Sequence, residues 1–188
     1  MKKIPVLLSI LLLSIIISAC RSNRITEKEQ SETNIVNAEY PVYNSAEELI
    51  NSSNLVFSGT VSNITYQNLN MKSESGADSE TGRTETSEIP YTIFQIKIDQ
   101  VYKGNVDSDT ISIKRLGGEV DGNTFLLEDA KTIETGESYL FITETYENSY
   151  PSLLNASQAS YNLNTPETLN NEEEISLSEI MEYLNTLN

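Results

Sequence analysis

Tyr91-Thr92-Ile93-Phe94-Gln95-Ile96-Lys97-Ile98-Asp99-Gln100-Val101-Tyr102 decides the fold of this chain. Phe94, Ile96 and Ile98 alternate with Gln95, Lys97 and Asp99, the period-two pattern of a strand with one buried face. On its N-terminal side, Leu55-Val56-Phe57-Ser58-Gly59-Thr60-Val61 predicts a strand that continues through Ser62 to Tyr66. Phe57, Gly59 and Val61 share one parity, whereas Ile64 and Tyr66 have the other. A bulge between Val61 and Ile64 restores one apolar face and bends the strand. On its C-terminal side, Lys103-Gly104-Asn105 forms a turn into a strand from Thr110 to Leu116, ended by Gly117-Gly118. Asp121-Gly122-Asn123 turns into a weaker strand, Thr124 to Leu127, and Thr135-Gly136-Glu137 is a further turn. Ser138 to Thr143 is almost continuously apolar, as a strand buried on both faces would be. Tyr150 to Asn164 adds one or two short strands.

Two helices flank these strands. Ser45-Ala46-Glu47-Glu48 has the form of a capping box, and the helix it starts ends between Asn51 and Asn54. Ser176-Leu177-Ser178-Glu179 opens a second helix, 176–187. Its Leu177, Ile180, Met181, Leu184 and Leu187 form one stripe that packs on the domain's own core. The chain is therefore expected to be mainly β, a barrel of five to six strands with a short N-terminal helix and a C-terminal helix. Residues 70–89, rich in Ser, Glu, Thr, Gly and Asp, are expected to be a mobile loop without the ligand spacing of a calcium site.

The strands and turns, taken in order, resemble a family. Leu55–Val61, the alternating strand into Val101-Tyr102-Lys103-Gly104, then Gly117-Gly118, then Gly136-Glu137-Ser138-Tyr139-Leu140-Phe141-Ile142 are similar to secreted bacterial domains with an OB-like barrel of the netrin/TIMP type. The resemblance spans about residues 45–145 and implies closure of the sheet, which removes open edges. The animal modules rely on disulfides that this chain cannot form. Inhibitors of the TIMP type bind metal through a free N-terminal cysteine amine, so protease inhibition is not carried over.

The N-terminus has a second signature. Lys2 and Lys3 precede an apolar run from Ile4 to Ala19, in the layout of a signal peptide. The run lies near the short limit of a transmembrane helix, roughly 17–25 residues. Ile17-Ser18-Ala19-Cys20 resembles the lipobox of bacterial lipoproteins, which implies removal of residues 1–19 and diacylglyceryl modification of Cys20. Two acyl chains suffice for stable anchoring where one does not. Residues 20–38 are polar and aperiodic and read as a lipidated, disordered tether. Such a tether spans on the order of 20–25 Å. Residues 39–188 are then a single domain on the extracytoplasmic face of the cell membrane.

Composition narrows the chemistry. The chain of 188 residues has 12 basic and 28 acidic residues, a net charge of −16. Removing Lys2 and Lys3 leaves 10 basic residues against 28, or −18. That surface repels nucleic acid and anionic lipid, and suits a basic protein, an envelope ligand or a cation. With no histidine, Ser-His-Asp and Cys-His catalysis and histidine-held metals are excluded. The one cysteine serves the anchor, which leaves no cysteine nucleophile. Asp107-Ser108-Asp109 reads as a solvated turn. Lys114 and Arg115, the only adjacent basic pair of the domain, point to opposite faces of one strand and do not make one anion site. No catalytic, cofactor or metal residues are expected. The sequence favours a non-catalytic binding module, with a carboxylate-dependent envelope glycan hydrolase or an acidic divalent-cation-binding surface protein as the alternatives.

Overall fold

The computed structural model describes residues 32–70, 88–165 and 175–187, and residues 31–188 form one compact unit. The expected signal peptide, Cys20 and the greater part of the expected loop lie outside the described residues. Among the described residues no helix is long and apolar enough to cross a membrane.

The alternating segment forms β3, Glu88–Lys103, longer at both ends than expected. It pairs antiparallel with β2, Leu55–Asn70. The two strands take residues 70, 88 and 89 out of the stretch expected to be a loop. In their ladder Val61 faces Ile96 and Asn63 faces Gln95, so Ser62 is the extra residue of a bulge. Its hydroxyl donates to Gln95 O at 2.9 Å. Val61 below the bulge is fully buried, as the change of parity requires. Gly59 sits where the strands press closest: a Cβ there would lie 2.5 Å from Lys97 O.

β4 (Thr110–Leu116), β7 (Ser138–Tyr146), β8 (Ser149–Leu153) and β9 (Ser160–Asn162) complete a six-stranded sheet. Its order is β2-β3-β4-β8-β7-β9, with β7 also paired to β2. The β4–β8 ladder is parallel and consists of one pair, Lys114 with Ser152. The sheet is therefore not a closed barrel, in contrast to the closure expected from the sequence. One residue pair does not satisfy the backbone polar groups along two strand edges.

A second, three-stranded sheet has the order β1-β6-β5. β1, Thr33–Val36, falls inside the stretch expected to be tether. It runs parallel to β6, Asn123–Leu127. β5, Gly118–Val120, joins β6 through Asp121 and Gly122. Both turn residues have positive φ, +52° and +78°, as a two-residue type I′ hairpin demands.

The core is built from the inward faces of the larger sheet, including Phe57, Phe94, Ile96, Ile113, Phe141 and Ile142, and from two helices. α1, Ala46–Ser52, is capped by Ser45, whose hydroxyl accepts from Glu48 N at 3.1 Å. Glu48 does not bond back to Ser45; its carboxylate accepts from Asn44 N at 2.9 Å. α2, Leu177–Thr186, carries the full capping box between Ser176 and Glu179. Ile180 and Leu184 are buried, but Leu187, past the last turn, is 48% exposed and leaves the stripe.

Candidate functional site

β4 presents its two cations to different surroundings. Ile113 is fully buried in the core, so the next residue, Lys114, faces outward and Arg115 faces inward again. Cross-strand partners agree: Lys114 is opposite Ile93 and Arg115 opposite Thr92.

Lys114 is only 5% exposed. Its ammonium lies over the rings of Tyr91 and Tyr146, whose centroids are 5.5 and 4.9 Å from Nζ. The ammonium donates to Ser149 Oγ at 2.6 Å, at the exposed start of β8. Desolvation lowers its pKa from the ordinary lysine value. Burial raises the Tyr91 phenol; it also raises that of Tyr146, aided by Glu144, whose carboxylate accepts from the Tyr146 hydroxyl at 3.3 Å. A serine bonded to a desolvated lysine can act as nucleophile and base. Here the flanking aromatic faces favour the protonated amine, and Ser149 does not line either of the clefts described below. The pair closes the surface over the β4–β8 seam.

Arg115 extends over the Phe94 ring, 5.1 Å from its centroid. Nη1 donates to Lys131 O at 2.6 Å. Nε is closed to solvent and has no hydrogen-bond partner among the described residues. Burial lowers the guanidinium pKa, opposed by the phenols of Tyr40 and Tyr66. Neither Lys114 nor Arg115 forms an ion pair among the described residues, in a chain with more than two acids per base.

Arg115 lines a cleft of about 330 Å³ between the two sheets. Thr92 and Tyr66 bound it from the larger sheet, Glu119 and Thr124–Leu127 from the smaller, and Ala130–Ile133 from the following loop. The corner of the cleft is Gly117-Gly118. Gly117 N donates to Pro90 O at 2.9 Å, and Thr92 Oγ1 donates to Gly117 O at 2.8 Å. Gly117 has φ +90°, and a Cβ there would lie 2.7 Å from Phe125 O. Glycine is required on both counts.

A second cleft, about 860 Å³, lies between residues 42–47, residues 157–161 and α2. Lys131 borders both clefts, its Nζ 4.5 Å from the Tyr161 centroid. Buried Asn155 and its neighbour Gln158 hold one wall. Gln158 accepts from Tyr43 N at 3.0 Å and donates to Tyr43 O at 2.8 Å, while Asn155 donates to Pro41 O at 3.1 Å. Glu47, Glu179 and Glu182 lie on this cleft. The Glu179 carboxyl is held below the ordinary value by its side-chain and backbone bonds to Ser176. A glycosidase acid needs the opposite shift.

Asp107 and Ser108 form the exposed turn expected of them, accepting from Asn105 Nδ2 at 3.0 Å and Thr110 N at 3.3 Å. No group of three or more potential metal-ligating side chains occurs among the described residues. The opposite facing of Lys114 and Arg115 follows the sequence expectation. The role of Arg115 in a cleft does not, although its shared parity with Ile111 and Ile113 was the signal for an inward cation. A comparison with protein-family models and with curated proteins finds no match to this chain.

Proposed function

We propose that the protein is a lipoprotein held on the extracytoplasmic face of the cell membrane through Cys20, and that its domain is an OB-like barrel that binds an envelope ligand without turning it over. The anchor rests on Ile17-Ser18-Ala19-Cys20 after an apolar run. Support for the barrel comes from strand order. Pairings lead from β2 through β3, β4, β8 and β7 back to β2, and the one parallel step in that circuit is β4–β8. A partly open five-stranded Greek-key barrel has this arrangement, here opened at the Lys114–Ser152 seam. The binding reading is carried by Arg115, a cation on the wall of a cleft whose Nε has no hydrogen-bond partner among the described residues.

Fatty-acid labelling of growing cells tests the anchor: label is expected in the wild-type protein and none in Cys20→Ala, and a labelled Cys20→Ala protein refutes the assignment. For the binding reading, immobilised full-length protein is expected to retain a component of envelope extract at low salt. An acidic surface that helps hold a basic component makes retention weaker at high salt. No retained component at either salt overturns the binding reading.

A further inference from the structure

We propose that the cleft beside Arg115 is a receptor for a small monocarboxylate with an apolar body; this rests on the binding reading above and names its ligand. A guanidinium presents two useful forks to a carboxylate. Nη1 is already committed to Lys131 O. On the side-on fork, Nε–H has no hydrogen-bond partner, and the Arg115 hydrogen bond found among the described residues is that of Nη1. A carboxylate matches that fork with two parallel charge-assisted bonds.

The alternative is that the charge is buried for stability alone, and the surroundings argue against it. A largely desolvated cation without an ion pair is costly, and a chain with 28 acidic residues had carboxylates to spare. Instead, Leu116, Leu127, Ala130 and Ile133 line the same cleft. They supply an apolar wall beside the charged Arg115 and Lys131, the usual composition of a small-molecule site. About 330 Å³ is at the small end of such sites. Glu119 also borders the cleft, and its carboxylate disfavours a dianion. With Lys131 also on the cleft and Glu119 opposing it, Arg115 leaves the lining with one net positive charge, so a monocarboxylate fits better than inorganic phosphate. Because Nε is closed to solvent, binding at this donor requires a lining side chain to turn aside. Tyr66, 48% exposed and lying over Gly118, is the most exposed aromatic of that wall.

The test uses the full chain in non-ionic detergent, titrated with isovalerate, with its neutral amide isovaleramide and with inorganic phosphate. Isovalerate is expected to shift the Arg115 Nε–H resonance and to raise the melting temperature, and the amide to do neither. Arg115→Met is expected to weaken isovalerate binding by roughly tenfold or more. Lys114→Met, on the other face, is expected to bind it as the wild type does. Absence of an isovalerate response, or an equal response in Arg115→Met, overturns the site. Tighter binding of phosphate overturns the ligand class. If carboxylate binding fails while envelope capture stands, this inference falls and the binding reading survives. If isovalerate binds but no envelope component is captured, the cleft stands and the envelope reading falls.

Discussion

Lys114 and Arg115 are neighbours in sequence with the same charge, and the fold treats them differently. Lys114 ends against two aromatic faces and a serine hydroxyl. Arg115 ends beside a cleft with its Nε–H unmet. The difference lies in the two sides of a strand: the outer face meets the β7–β8 hairpin, and the inner face meets the gap between two sheets. Lys114 is enclosed by its partners, whereas Arg115 keeps one donor, Nε, that no neighbour among the described residues meets.

The largest effect should come from the corner that separates the two settings. Gly117→Ala places a Cβ 2.7 Å from Phe125 O at φ +90°. The backbone conformation alone should cost about 1–3 kcal/mol, read as a fall in the urea midpoint. The cleft should lose its carboxylate response while Lys114 and Ser149 keep their contact. A Gly117→Ala protein of wild-type stability would mean that the two sheets do not constrain this corner.

The next effect is one of sign. Lys114→Met should lose about 0.5–2 kcal/mol, since it removes a charge-assisted hydrogen bond and two ring contacts. Arg115→Met, measured without ligand, should be as stable as the wild type or more stable by about 1 kcal/mol, because removal of a desolvated cation that has no ion pair outweighs the lost bond to Lys131 O and the Phe94 contact. Denaturant titration of the two variants decides the matter; shifts of the same sign would erase the distinction between the faces.

The smallest effect is in pH dependence. Desolvation lowers the Lys114 pKa in the fold, so the unfolded chain holds that proton to higher pH. The resulting penalty is constant below the folded value and fades as pH rises through that value toward the ordinary one. Stability of the wild type relative to Lys114→Met should therefore rise in the alkaline range. The raised phenols of Tyr91 and Tyr146 act in the opposite direction, but both proteins contain them. Denaturation midpoints measured from about pH 8 to 11 should show a growing difference; a flat difference would show that the Lys114 amine is not desolvated by the fold.

Much of this arrangement was legible before folding was considered. The Val61–Ile64 change of parity located the Ser62 bulge, Asp121-Gly122 marked the hairpin turn, and Ser176 with Glu179 marked the helix start. Each depends on contacts or dihedrals close along the chain. β1 was not legible: Thr33–Val36 is four residues long with no apolar alternation, and it is a strand because β6, distant in sequence, offers it an edge. The end of α1 has the same character. Its own last turn holds no basic residue, and the cation comes from Lys103 at the end of β3, whose ammonium donates to Ile50 O and Ser53 O, each at 2.6 Å.

By itself the sequence determined the mainly β class, the strand faces and the placement of Lys114 and Arg115 on opposite sides, because a strand's period is fixed by backbone geometry. Only the tertiary structure decided that the larger sheet meets itself at one residue pair, that a second sheet leans over Arg115, and that a cleft lies between them. Those features depend on which distant edges and faces meet, and on the partners each polar group finds there, which no local pattern encodes.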